Sequence, residues 1–119
     1  AEVIVKWSKK IGFNKVIASL SKETTDKKDK VTKEELNVFK EVMDKSHLDY
    51  KIYDTLDKAI DKVLERVNPK DVIMLAGCQG MDYGGHIILN KISKDLTDNQ
   101  KKKVLEPLED RVVGSDYNE

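Results

Sequence analysis

Asp71-Val72-Ile73-Met74-Leu75-Ala76-Gly77-Cys78-Gln79-Gly80-Met81-Asp82-Tyr83 is the stretch on which the fold turns. Residues 72–76 are apolar at every position, which predicts a strand covered on both faces, as in the middle of a parallel sheet flanked by helices. Gly77 and Gly80 then give a strand-to-helix turn, and Ile88, Leu89 and Ile92 mark the helix beyond it. Just upstream, Leu56, Ala59, Ile60, Val63, Leu64 and Val67 recur at helical spacing, with Thr55 placed to cap the helix and Asn68-Pro69 to close it. This alternation of strand and helix sets the frame for the rest of the chain.

Further out, Leu48, Tyr50 and Ile52 alternate with Asp49 and Lys51, which predicts a strand with one wet face or at a sheet edge. Thr32 and Glu35 form a capping box ahead of the stripe Leu36, Phe39, Val42 and Met43, so a helix runs to about Lys45. Residues 16–20 are a short apolar run suited to a buried strand, and residues 21–30 are a charged loop without period. No apolar residue precedes Val31 to anchor that loop, so it is expected to be mobile. Val3, Ile4, Trp7 and Ile11 share a helical face, and Gly12 follows where a C-cap belongs. Thr97 and Gln100 open a last helix, which Pro107 interrupts.

The order predicts one α/β domain over residues 1–119: a three-layer, Rossmann-like fold with a mostly parallel sheet and helices on both faces. A strand ahead of the first helix is expected to be missing or supplied from elsewhere. The abrupt apolar opening, without an initiating methionine, reads as a fragment boundary.

Composition narrows the partners. Lys plus Arg equals Asp plus Glu, 22 against 22 in 119 residues, so no net field draws the chain to nucleic acid or to an anionic membrane, and neither partner is expected. The single cysteine, Cys78, excludes an internal disulfide and fits a reducing compartment; with no apolar run near membrane-span length, a cytoplasmic location is expected.

In an open parallel sheet, ligands collect at the carboxyl ends of the strands, which here means residues 21–31 and 77–82. Gly77 and Gly80 can let backbone approach an anion at the start of a helix; equally, they can simply make the turn and let Gly84 and Gly85 pack. No Lys-Ser or Lys-Thr follows the glycines, so this is not a Walker phosphate loop, and the spacing is not that of a dinucleotide fingerprint. His47 and His86 lack companions at metal-ligand spacing and read as structural or solvent-facing, and Cys78 reads as an inert thiol. The runs Lys27-Lys28 and Lys101-Lys102-Lys103 read as solvated faces.

With its preceding helix and Asn68-Pro69-Lys70, the stretch from Asp71 to Tyr83 resembles the last strand and glycine loop of the Mur ligase C-terminal domain, whose usual form is Ala-Gly-Lys-Gly-His-Glu. Residues 15–20 and the charged loop after them resemble the family's segment carrying Asp-Asn-Pro-Arg. The resemblance covers roughly residues 1–92 and is most specific at residues 77–82. It implies an ATP-dependent amide ligase working through an acyl phosphate, with ATP and Mg2+ held mainly by a central domain that this chain does not contain.

On that resemblance the present domain closes over the site and helps to place the amine. Its partners are the central ATP-binding domain and small-molecule carboxylate and amine substrates, and alone it is expected to be inactive. The resemblance gives this chain no catalytic residue and no metal ligand; Asp82, Gly80, Gln79, Gly77 and Lys22 are the expected substrate-binding residues. Two departures stand out: Ser21-Lys22-Glu23-Thr24 replaces the amine-selecting motif and carries no arginine, and Cys78-Gln79 replaces the loop lysine. They imply a divergent ligase, with peptidoglycan synthesis the family's pathway. The alternatives are a free-standing Rossmann-like module that binds a small anion, or a scaffold with no ligand. Asp82 itself has two readings, a carboxylate for the incoming amine or the N-cap of the following helix.

Overall fold

The computed structural model describes residues 1–77 and 79–109, the side chain of Gln79 excepted. The reading of Cys78 and the part of Gln79 that would meet a ligand therefore lie outside the described residues. The chain is mixed α/β, mostly helical, around a parallel pair of strands.

Helix α1 (Glu2–Ile11) ends at Gly12, whose φ of 84° is the left-handed turn that glycine makes without a Cβ penalty. Strand β1 (Val16–Ser19) leads through a 3-10 turn at Lys27–Asp29 to α2 (Lys33–Ser46). The expected capping box is present: Thr32 Oγ1 accepts from Glu35 N at 3.2 Å, and the Glu35 carboxylate accepts from Thr32 N at 2.8 Å. Left-handed His47, at φ 59°, closes α2 and points the chain into β2 (Tyr50–Tyr53). Val16 faces Tyr50 and Ser19 faces Tyr53 in the parallel register. Helix α3 (Leu56–Leu64) is capped by Thr55, whose Oγ1 accepts from Lys58 N. Helices α4 (Gly84–Ile92) and α5 (Asp98–Leu105) follow, and Pro107 falls in the 3-10 turn Glu106–Leu108 after α5.

The core forms where α3 meets α4. Leu56, Ile60 and Ile88 are buried together, and Leu64, Ile73, Met81 and Ile87 pack against them. Lys91 of α4 pins the rim of this contact, reaching Asp57 at 2.9 Å and Asp61 at 2.7 Å on α3. Among the described residues, no helix is long and apolar enough to cross a membrane.

Two expectations need correcting. Residues 72–76 are not a strand: Val72 is 86% exposed and Met74 58%, while Ile73 alone of the five packs on the core. A run that is apolar on both sides becomes a central strand only when it is covered on both faces, and the described residues leave Val72 and Met74 uncovered. Among the described residues the sheet therefore has two strands instead of three. Helix α3 also stops at Leu64, short of Val67, where Arg66 and Val67 turn back onto the Val63 carbonyl.

Helix α1 shows the same imbalance. Ser8 is what it buries, while Val3, Ile4, Trp7 and Ile11 face outward, with the Lys6 and Lys10 ammonium groups 5.8 and 4.9 Å from the Trp7 ring centre.

Candidate functional site

The loop leaving β1 and the glycine turn before α4 meet. After the last ladder bond, Leu20 N to the Tyr53 carbonyl, Ser21 turns the chain with φ 46°, a left-handed angle for a residue that has a Cβ. It is 4% exposed. Its Oγ donates to the Gly80 carbonyl at 2.6 Å, and its N–H donates to Ser19 Oγ at 2.9 Å. With that hydroxyl proton committed to Gly80, Ser19 is the donor in the 3.0 Å contact between the two serine oxygens. The Ser21 carbonyl then accepts from the N–H groups of Thr24 and Thr25 and from the Thr25 hydroxyl at 2.9 Å.

The next residues are tied to the junction of β2 and α3. Lys22 N donates to the Asp54 carbonyl, and Lys22 Nζ sits 2.7 Å from Asp54 Oδ1. The hydrogen bond from Lys22 holds the Asp54 carboxyl below its ordinary value. Glu23 Oε1 accepts from Leu56 N at 2.5 Å and from Asp57 N at 3.4 Å, satisfying two of the free donors at the α3 N-terminus. Residues 21–25 of the loop expected to be mobile thus make hydrogen bonds to both strands' ends and to α3. Apolar anchors are indeed absent there, and polar groups do the anchoring.

The glycines have a packing reason. A Cβ on Gly77 would come 2.8 Å from Met81 Cβ, one on Gly80 would come 2.9 Å from Ser21 Cβ, and one on Gly84 would come 2.9 Å from Met81 Sδ. Backbone meets side chain directly at all three, so the turn-and-packing reading of these glycines holds whether or not a ligand also binds.

Of the expected substrate-binding residues, Lys22 and Gly80 lie on the two joined loops, and Gly77 and Asp82 bracket the 3-10 turn Gln79–Met81. Lys22 is already paired with Asp54. Half-buried Asp82 stands one residue before Tyr83, at the start of α4.

Sequence reasoning missed Ser21 and Glu23, the residues that bring the loops together. A serine after a strand and a glutamate in a polar loop carry no spacing signal; their partners lie 59 and 33 residues away.

Two cavities flank this region. One, of about 470 Å³, runs beside β2 and is lined by Leu20, Leu36, Lys40, Tyr50, Lys51, Ile52 and Asp54. The other, of about 390 Å³, lies between α4 and the later helical turns, where His86 Nδ1 is buried without a hydrogen-bond partner among the described residues. Among the described residues, no three His, Cys, Asp or Glu side chains are grouped to hold a metal ion. Compared with known proteins, the sequence matches no family model and no curated relative.

Proposed function

We infer that the chain is the C-terminal, substrate-closing domain of an ATP-dependent Mur-type ligase, which forms an amide from a carboxylate and an amine through an acyl phosphate. The observation that carries this reading is the joining, through Ser21 and Gly80, of the loop after β1 to the glycine turn before α4, because the likeness to that family falls on those same two segments. The chain's part is to bring a preformed pair of loops against a site on a central domain. ATP supplies the activating phosphoryl group there, and on the resemblance ATP and Mg2+ are held mainly by that central domain.

In this reading the three-layer, Rossmann-like sheet is completed by neighbouring chain. The exposure of Val72 and Met74 and the outward apolar face of α1 support that, since both are built for a layer that the described residues lack. Asp82 offers a carboxylate to the amine, and Gly77 and Gly80 let backbone come close to it.

The test is the parent polypeptide: release of ADP that depends on both an acceptor carboxylate and an amine supports the assignment, and ATP turnover indifferent to both overturns it. In the same assay Asp82→Asn is expected to raise KM for the amine and to leave KM for ATP nearly unchanged, because the lost contact touches one substrate. The isolated chain is expected to show no ATP hydrolysis and no micromolar ATP affinity by calorimetric titration.

A further inference from the structure

We propose that the groove between α2 and the outer edge of β2 is a docking site for an extended acidic peptide segment, which adds to the sheet as a third strand. The proposal is independent of the ligase reading and begins with the ladder. Val16 N bonds to the Asp49 carbonyl and Leu20 N to the Tyr53 carbonyl, so alternate residues of β2 turn their backbone groups toward β1. By that alternation Lys51 also points inward, and the N–H and C=O groups of Tyr50 and Ile52 point outward. No other described strand pairs with that edge. Two outward donors and two outward acceptors are what an added strand requires.

The groove over that edge has an apolar floor and cationic walls. Leu20, Leu36 and Ile52 are only partly buried along its base, and its volume of about 470 Å³ leaves room for side chains to enter. Tyr50 is held as one wall: its ring meets Phe39 edge to face at 6.2 Å, and its hydroxyl donates to Asp44. Charge selects the occupant. The one carboxylate in the lining, Asp54, is neutralised by Lys22, whereas Lys40 and Lys51 are exposed and in no ion pair among the described residues. Apolar side chains pointing down and carboxylates beside the two lysines give an alternating acidic and apolar strand. The competing role for Lys51 is to guard an open edge against self-pairing.

The experiment titrates the isotope-labelled chain with the peptide acetyl-Glu-Val-Glu-Val-Glu-amide, with acetyl-Lys-Val-Lys-Val-Lys-amide and with inorganic phosphate. The acidic peptide is expected to slow amide exchange at Tyr50 and Ile52 while leaving Lys51 unchanged, and to weaken with added salt. Lys40→Glu/Lys51→Glu is expected to weaken binding at least about fivefold, a modest figure because exposed ion pairs contribute little each.

Several results overturn the proposal: no binding, equal binding of the lysine peptide, the same response to phosphate alone, or shifts centred away from β2. A Lys51→Ala chain that self-associates in sedimentation without gaining or losing peptide affinity would leave Lys51 an edge guard, and it too overturns the proposal.

Discussion

Ser21 combines a backbone angle unfavourable to any side chain with a side-chain bond that only a hydroxyl can make. Removing the side chain should therefore have two opposed effects. Ser21→Gly relieves a left-handed cost of about 1 kcal/mol and forfeits a hydrogen bond of about 1 kcal/mol, so its net change in stability should be small. Ser21→Ala keeps the angle and loses the bond, and urea denaturation should show it less stable than Ser21→Gly by about 1 kcal/mol.

Gly80 supplies the counterpart. Gly80→Ala forces a Cβ against Ser21 Cβ and should destabilise by about 1–3 kcal/mol. In a Ser21→Gly background the two closest contacts vanish and the next, Thr25 Cγ2, lies at 3.4 Å, so the same alanine should become nearly harmless. Additive effects of the two substitutions would refute the clamp. The clamp was not legible in the sequence, because left-handed serine is set by its partner 59 residues away and not by its neighbours.

At the scale of elements, most signals that act within a few residues read true, the Asn68-Pro69 stop expected for α3 excepted, and those that depend on distant layers did not. The boxes at Thr32/Glu35 and Thr97/Gln100, the Thr55 cap and the Gly12 stop are all local arrangements, and each stands where its residues predict. Residues 72–76 failed as a strand because burial on both faces belongs to neighbours, not to the run itself. Likewise, the polar loop after β1 is fixed through helix α3.

Glu23→Ala should loosen that tie, exposing Leu56 N and Asp57 N and speeding their hydrogen exchange, with a loss of about 1 kcal/mol typical of an N-terminal cap. Unchanged exchange at Leu56 would show that Glu23 adds nothing. Glu35 invites a pH test. The backbone bond from Thr32, then its side-chain bond, lowers the Glu35 carboxyl from its ordinary 4.5. A depressed folded value contributes stability that is complete above pH 4.5 and is lost as pH falls through the folded value. Glu35→Gln keeps a capping side chain without the titration, so its acid unfolding should show less dependence on pH in that window.

For the whole molecule, the ion pairs set a plateau with two shoulders. The hydrogen bonds from Lys15 and Lys22 lower Asp49 and Asp54 from 3.8, so their contributions are full above that pH and fade as pH falls through the folded values. Lys91 is raised from 10.5 by Asp61 first and Asp57 second, and its contribution is full below that pH and fades as pH rises through the folded value. Thermal stability should accordingly fall on the acid side below the first limit and on the alkaline side above the second; a melting temperature unchanged at both extremes would contradict it. Trp7, the single tryptophan, reports on the outward face of α1. Its emission should be red-shifted and strongly quenched by iodide, an anion that Lys6 and Lys10 draw toward it. Blue-shifted, unquenched emission would mean that something covers the face.

The parallel pairing of β1 with β2 also governs how quickly the chain can find its shape. No hairpin can start such a pair: Val16 must meet Tyr50 across the whole crossover before any ladder bond forms, and the entropy of closing that loop is lost in advance. Helix α2 occupies much of the crossover, so its early formation shortens the search. A weakened α2 start, as in Thr32→Ala, should then slow refolding more than it speeds unfolding, whereas a weakened α5 start, as in Thr97→Ala, should do the reverse. Stopped-flow chevrons of the two variants would read the order of assembly directly, and a Thr32→Ala effect confined to the unfolding limb would place α2 after the strands.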